Sequence, residues 1–183
     1  MKHIILVVVG VVSIQASANA QTAAEAIEHA LAAAPRRAAE GAAVIKWNAD
    51  YTYETLKEGT NRMVCFDRSD ERRRRPFAVL CTSVANLDRV AQNRRLRAES
   101  ADAAEERAMV AAAEENGTRA LPEYGSVWIH MDGRDRASAR IHTTISVPGA
   151  TTESTGLPNN RSAGGAYIMA AGTSAAHIMV PGR

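Results

Sequence analysis

Two cysteines stand at mirror positions about a polar stretch, and that symmetry constrains the fold more than any other feature of the chain. Residues 62–67 and 77–82 have the apolar, β-branched and aromatic content of strands, with polar residues 68–76 between them. A hairpin centred on Arg73 sets Cys65 opposite Cys81 on one face and Phe66 opposite Leu80 on the other. In an oxidising compartment the first pair becomes a disulfide, worth roughly 3 kcal/mol for a loop of this size. Two buried free thiols are the alternative. The chain has no Cys-x-x-Cys, so redox activity is not expected.

The first twenty residues say which compartment to expect. Lys2 gives a positive start, residues 4–14 form an apolar run broken by Gly10 and Ser13, and Ala18-Asn19-Ala20 offers a small-residue cleavage site. These are the three parts of a secretory signal peptide. The apolar run is well short of the roughly 20 residues a spanning helix needs. The sequence therefore predicts a signal peptide over 1–20, cut before Gln21, and one α+β domain over 21–183. Its expected location is periplasmic or secreted, with no membrane anchor left after cleavage. Cleavage removes Lys2 and no acid, so the 22 basic and 20 acidic residues come almost into balance. That balance lacks the basic excess of a dedicated nucleic-acid surface, and no nucleic acid is expected as a partner.

Thr22-Ala23-Ala24-Glu25 reads as a capping box opening a short helix that Pro35 ends or kinks. Strand-like segments follow at 43–47 and 51–57, with a turn over 57–61 before the cysteine hairpin. Ser83 reads as an N-cap to a helical stretch over 84–116. Val84, Leu87 and Ala91 begin an apolar stripe that Arg94 interrupts, and Ser100 with Asp102 offers a second cap, so two helices are expected. Asn116-Gly117 is the stop. Strands return at 126–131 and 139–147, then, after a long loop over 151–162, at 166–170 and 175–180. The predicted class is α+β, a mostly antiparallel sheet with one or two long Ala-rich helices packed on one face.

Candidate sites follow from this register. Pairing Val127 with Ile145 and Met131 with Ile141 puts Val127, Ile129, Met131, Ile141 and Ile145 on a face expected to be buried. Trp128, His130, His142 and Thr144 take the other face, with the two imidazoles side by side. His130 and His142, joined by His177 or by Glu123, are the candidate metal ligands. Neither His-x-His nor His-Glu-x-x-His is present, and no motif requires a cofactor. Arg72-Arg73-Arg74-Arg75 is a candidate polyanion contact, or else a solvated loop that discourages edge pairing. Trp47, Tyr51 and Tyr53 alternate onto one face, as core or as a sugar-stacking surface. His29 falls off the first helix's apolar stripe and reads as solvated.

Gly172-Thr173-Ser174 resembles the stretch around the nucleophile of subtilisin-like proteases, but the family's Asp and His blocks have no counterparts here, so no catalytic residue is assigned. The run Ser162–Met169, the run Gly172–Gly182 and Ala43-Val44-Ile45-Lys46-Trp47 together resemble a group of uncharacterised exported bacterial proteins. That resemblance implies export and a single domain, and carries no activity. The reading favoured by the residues is a non-catalytic binding or structural module. A metal-dependent or acid–base enzyme using the C-terminal histidines is the rival.

Overall fold

A computed structural model describes residues 22–180; the expected signal peptide and its cleavage point lie outside them. The chain is helical over 22–30 (α1) and tightens into a 3-10 turn at Leu31–Ala33, where Pro35 breaks it and opens the single-turn helix α2 (Arg36–Ala39). Four strands follow, β1 (Ala43–Trp47), β2 (Tyr53–Lys57), β3 (Met63–Asp67) and β4 (Phe77–Ser83). Two helices, α3 (Leu87–Glu99) and α4 (Ala103–Glu115), precede β5 (Val127–Gly133) and β6 (Arg140–Ser146). A short helix, α5 (Thr152–Thr155), and the strands β7 (Tyr167–Met169) and β8 (His177–Val180) complete the α+β architecture. The eight strands make one sheet in the order β2-β1-β3-β4-β5-β6-β8-β7. All neighbours are antiparallel except β1 and β3.

The cysteine hairpin has the register that its symmetry dictates. Cys65 pairs with Cys81 and Phe66 with Leu80, and the two sulfurs are bonded. The helical stretch is split at Ser100, and Asp102 caps α4 by accepting from the backbone N–H groups of Ala104 and Glu105. Ser83 caps a 3-10 turn that leads into α3. Gly59 has no room for a side chain, because a Cβ there would stand 2.6 Å from the Ala43 nitrogen. The turn before β3 can therefore lie directly against β1.

Tyr51 departs from expectation. The chain reverses between Asn48 and Thr52, whose backbones are hydrogen-bonded, and Tyr51 sits in the turn with φ of 66°. Trp47 and Tyr53 are thus direct cross-strand partners, with rings edge-on at 5.5 Å, and Tyr51 does not continue their alternation.

Both faces of the sheet are covered in part. On one, α1 and its 3-10 end lie over Val44, Cys65, Phe77, Val79, Cys81 and Ile129. His29 belongs to this contact, its ring 4.8 Å from that of Phe77, so it packs where solvation was expected. The expectation that the whole Val127–Ile145 face is buried is corrected here. Ile129 is 6% exposed, but Val127 is 37% and Ile141 45% exposed. The reason is length: residues 22–33 as a helix span about 18 Å, whereas eight strands spread over roughly 34 Å. α1 and its 3-10 end cover β5 at Ile129, so Val127 at the near end of β5 and Ile141 on β6 lie outside that cover. On the other face Leu87, Val90 and Ala91 of α3 pack with Ile45, Phe66, Leu80 and Trp128. That is the histidine face, and the manner of its cover creates the site.

Candidate binding cleft

Two-residue alternation sends Trp128 and His130 from β5, and His142, Thr144 and Ser146 from β6, to the α3 side of the sheet. Pairing of β6 with β8 extends this surface, since Ser146 faces His177 and Thr144 faces Met179. α3 crosses it at Val90 and leaves the β5–β6–β8 part open beneath a cavity of about 480 Å³. That volume lies within the range of small-molecule sites. His130 and His142 stand side by side on the floor, their rings parallel within 3° and their centroids 4.7 Å apart. Neither ring has a hydrogen-bond partner among the described residues. Burial, then the charges of Arg68, His142, Arg74 and His177, push His130 well below the usual imidazole range. His142 is lowered as well, by burial first, against an opposing pull from Asp132. The Ala175 carbonyl lies 2.8 Å from His177 Nδ1, and a carbonyl only accepts, so Nδ1 carries a proton.

The walls are cationic. At one end, Glu71 is buried among four arginines. Arg68 grips it with Nε to Oε1 and Nη2 to Oε2, both at 2.8 Å, and Arg94 Nη1 adds a third bond to Oε1 at 2.8 Å. Arg97 and, more loosely, Arg74 share Oε2. Burial would raise this carboxyl, but the Arg68 hydrogen bond and the charges of Arg68, Arg97 and Arg94 outweigh it and hold it at about 2. Arg94 also pairs with Asp70 and lies 5.6 Å from the centre of the Trp47 ring. At the other end, Arg89 Nη1 donates to the Ala120 carbonyl and to Ser174 Oγ, and Arg119 donates to Gln92 and Asn93. Ser174 in turn binds the Glu114 carboxylate, tying the β7–β8 turn to α4.

The residues nominated from sequence are distributed unevenly. His130, His142 and His177 all line the cleft. Sharing a floor is not convergence: among the described residues no group of three or more His, Cys, Asp or Glu is arranged to hold a metal ion. Glu123 is elsewhere, accepting from Arg62 and Ser83. In the arginine run, Arg72 donates to the carbonyls of Ala98 and Ser100, and Arg73 to the Arg97 carbonyl, Ser100 Oγ and Glu106. These two side chains cap the C-terminal end of α3, where the unpaired carbonyls and the helix dipole favour cations. Arg74 turns to Glu71 and the cleft, and Arg75 is exposed. Arg68, Arg89, Arg94 and Arg119 were not singled out as site residues. The interruption of the α3 stripe at Arg94 is the one local sign of them in the sequence. Comparison with protein-family models, curated proteins and solved structures finds no match.

Proposed function

We propose that this chain is an exported, non-catalytic binding module that holds a small molecule in the cleft between α3 and strands β5, β6 and β8. The observation that carries the reading is the cleft itself: an open cavity of about 480 Å³ on a sheet floor, lined by ring, hydroxyl and guanidinium groups. Hydrogen-bonding side chains on regular elements orient a ligand at little ordering cost. Among the residues lining the cavity, none is a nucleophile hydrogen-bonded to an oriented base. Export rests on the first twenty residues, and the bonded cysteine pair is consistent with it. No helix among the described residues is long and apolar enough to cross a membrane.

A thermal-shift screen of neutral, cationic and anionic small molecules tests the reading, run beside an Ala175→Trp variant. Ala175 is half-buried at the cleft lining, so an indole there fills the cavity from a turn and spares the strands. Ligands should raise the wild-type midpoint and leave the variant unmoved. Equal shifts in both proteins would place binding elsewhere. The enzyme reading keeps one point in its favour, a stacked pair of neutral imidazoles, since a neutral ring can serve as base or ligand. Stoichiometric metal that disappears in a His130→Ala, His142→Ala double variant would favour it.

A further inference from the structure

We propose that the ligand of this cleft is a small dianion, two anionic groups on a short apolar spacer, with one group held by Arg89 and Arg119 and the other by Arg74. The proposal rests on the binding-module reading and adds to it the chemistry of the ligand.

One end of the cleft carries an excess of positive charge. Arg89 is 5% exposed yet forms no ion pair among the described residues; its Nη1 is spent on a carbonyl and a hydroxyl, while Nε and Nη2 have no partner there. The charge of Glu114 offsets Arg89 only in part, and a buried guanidinium with no carboxylate bonded to it is unfavourable. Arg119 beside it has a buried Nε with no hydrogen-bond partner, and its nearest carboxylate oxygen, on Glu114, is 3.8 Å away. Burial, then the charge of Arg119, lowers Arg89 to about 10, which still leaves it cationic at neutral pH. This end therefore sets two cations against one carboxylate, which also accepts from the Ser174 hydroxyl.

A similar surplus stands at the other end. Glu71 Oε2 already accepts from Arg68 and Arg97 when Arg74 reaches it at 3.3 Å. The terminal nitrogens of Arg74 have no partner among the described residues, and the side chain lines the cavity. Burial and the charges of Arg68 and Arg97 lower Arg74 to about 10, so it too remains charged. Glu71 is the sole carboxylate among the residues lining the cleft.

Trp128, Thr144 and Met179 form the middle of the floor, and Trp128 has already given its N–H to Ser146 Oγ at 2.7 Å. That leaves indole, methyl and thioether carbon between two cationic ends, bordered by the His130–His142 pair. Carboxylate and phosphoryl groups both fit the guanidinium fork.

Titration calorimetry on the full exported protein, at low salt, tests this with α,ω-dicarboxylates from succinate to sebacate and the monocarboxylate of each length. A parallel series of alkane bisphosphonates separates phosphoryl from carboxylate preference. One member inside a dianion series should bind at least roughly tenfold more tightly than the matched monoanion. Arg89→Gln and Arg74→Gln should each reduce that dianion to the level of the monoanion, and Arg89→Lys, which keeps the charge, should recover part of the loss. Circular dichroism on each variant separates lost binding from lost fold. Equal affinity of monoanions and dianions at every length overturns the two-ended site and leaves a binding module standing. Binding of neutral probes alone overturns the anionic ligand. Absence of any binding that Ala175→Trp abolishes overturns both readings.

Discussion

Glu71 is the residue on which one wall of the cleft depends. Its removal would leave Arg68, Arg74, Arg94 and Arg97 facing one another with little solvent to screen them. Glu71→Ala should therefore cost about 3–5 kcal/mol in urea unfolding, the usual loss on breaking a buried ion pair. The same carboxylate makes the fold acid-sensitive. Its folded value is about 2 against an ordinary 4.5, so its contribution is complete above pH 4.5 and is lost as pH falls toward 2. Unfolding midpoints measured down that range should drop in the wild type and stay flatter in Glu71→Gln. His130 acts at higher pH. Its ring is held neutral in the fold but takes up a proton near pH 6.5 when unfolded, so acidification from about 6.5 downward favours the unfolded chain. His130→Gln should lessen that slope, and a slope identical to the wild type would mean that the ring titrates freely. Individual residues of this kind were hard to read from sequence. Glu71 and Arg68 are three positions apart in a polar turn, and nothing local distinguishes a buried pair from a solvated one.

At the scale of elements, pairing was legible and cover was not. Strict alternation in β5 and β6 fixes which residues share a face, and the observed register, His130 opposite His142 and Val127 opposite Ile145, follows from it. Which face meets a helix depends on how far α1 and α3 reach, and no residue within the hairpin encodes that. The consequence is measurable. Ile129→Ala should cost about 2–5 kcal/mol, because α1 covers that side chain. Ile141→Ala, one strand beyond that cover and 45% exposed, should stay within about 0.5 kcal/mol of wild type. Similar losses at both positions in urea titrations would mean that something else covers the outer strands. The break between α3 and α4 was legible because a cap is a local device. The cleft was not, since its arginines come from the β3–β4 turn, from α3 and from the segment before β5, which meet only when the sheet has closed.

For the whole molecule, the disulfide does more than join two neighbouring strands. It closes a ring over residues 65–81 that contains Arg68, Glu71 and Arg74, so one wall of the cleft is covalently bounded. Replacing both cysteines by alanine should lower stability by roughly 3 kcal/mol. The urea midpoint is the readout, and an unchanged midpoint would show that the closed loop contributes nothing. The ring also changes what a protease can accomplish. Trypsin cleaves after arginine, and Arg72, Arg73 and Arg74 stand in a row inside the ring, with Arg75 shielded by the Pro76 that follows it. A cut at any of the three severs the backbone and leaves both fragments fastened through Cys65 and Cys81. Nicked protein should migrate as one species without reductant and as two pieces with it, the thiol and not the peptide bond deciding when the chain comes apart.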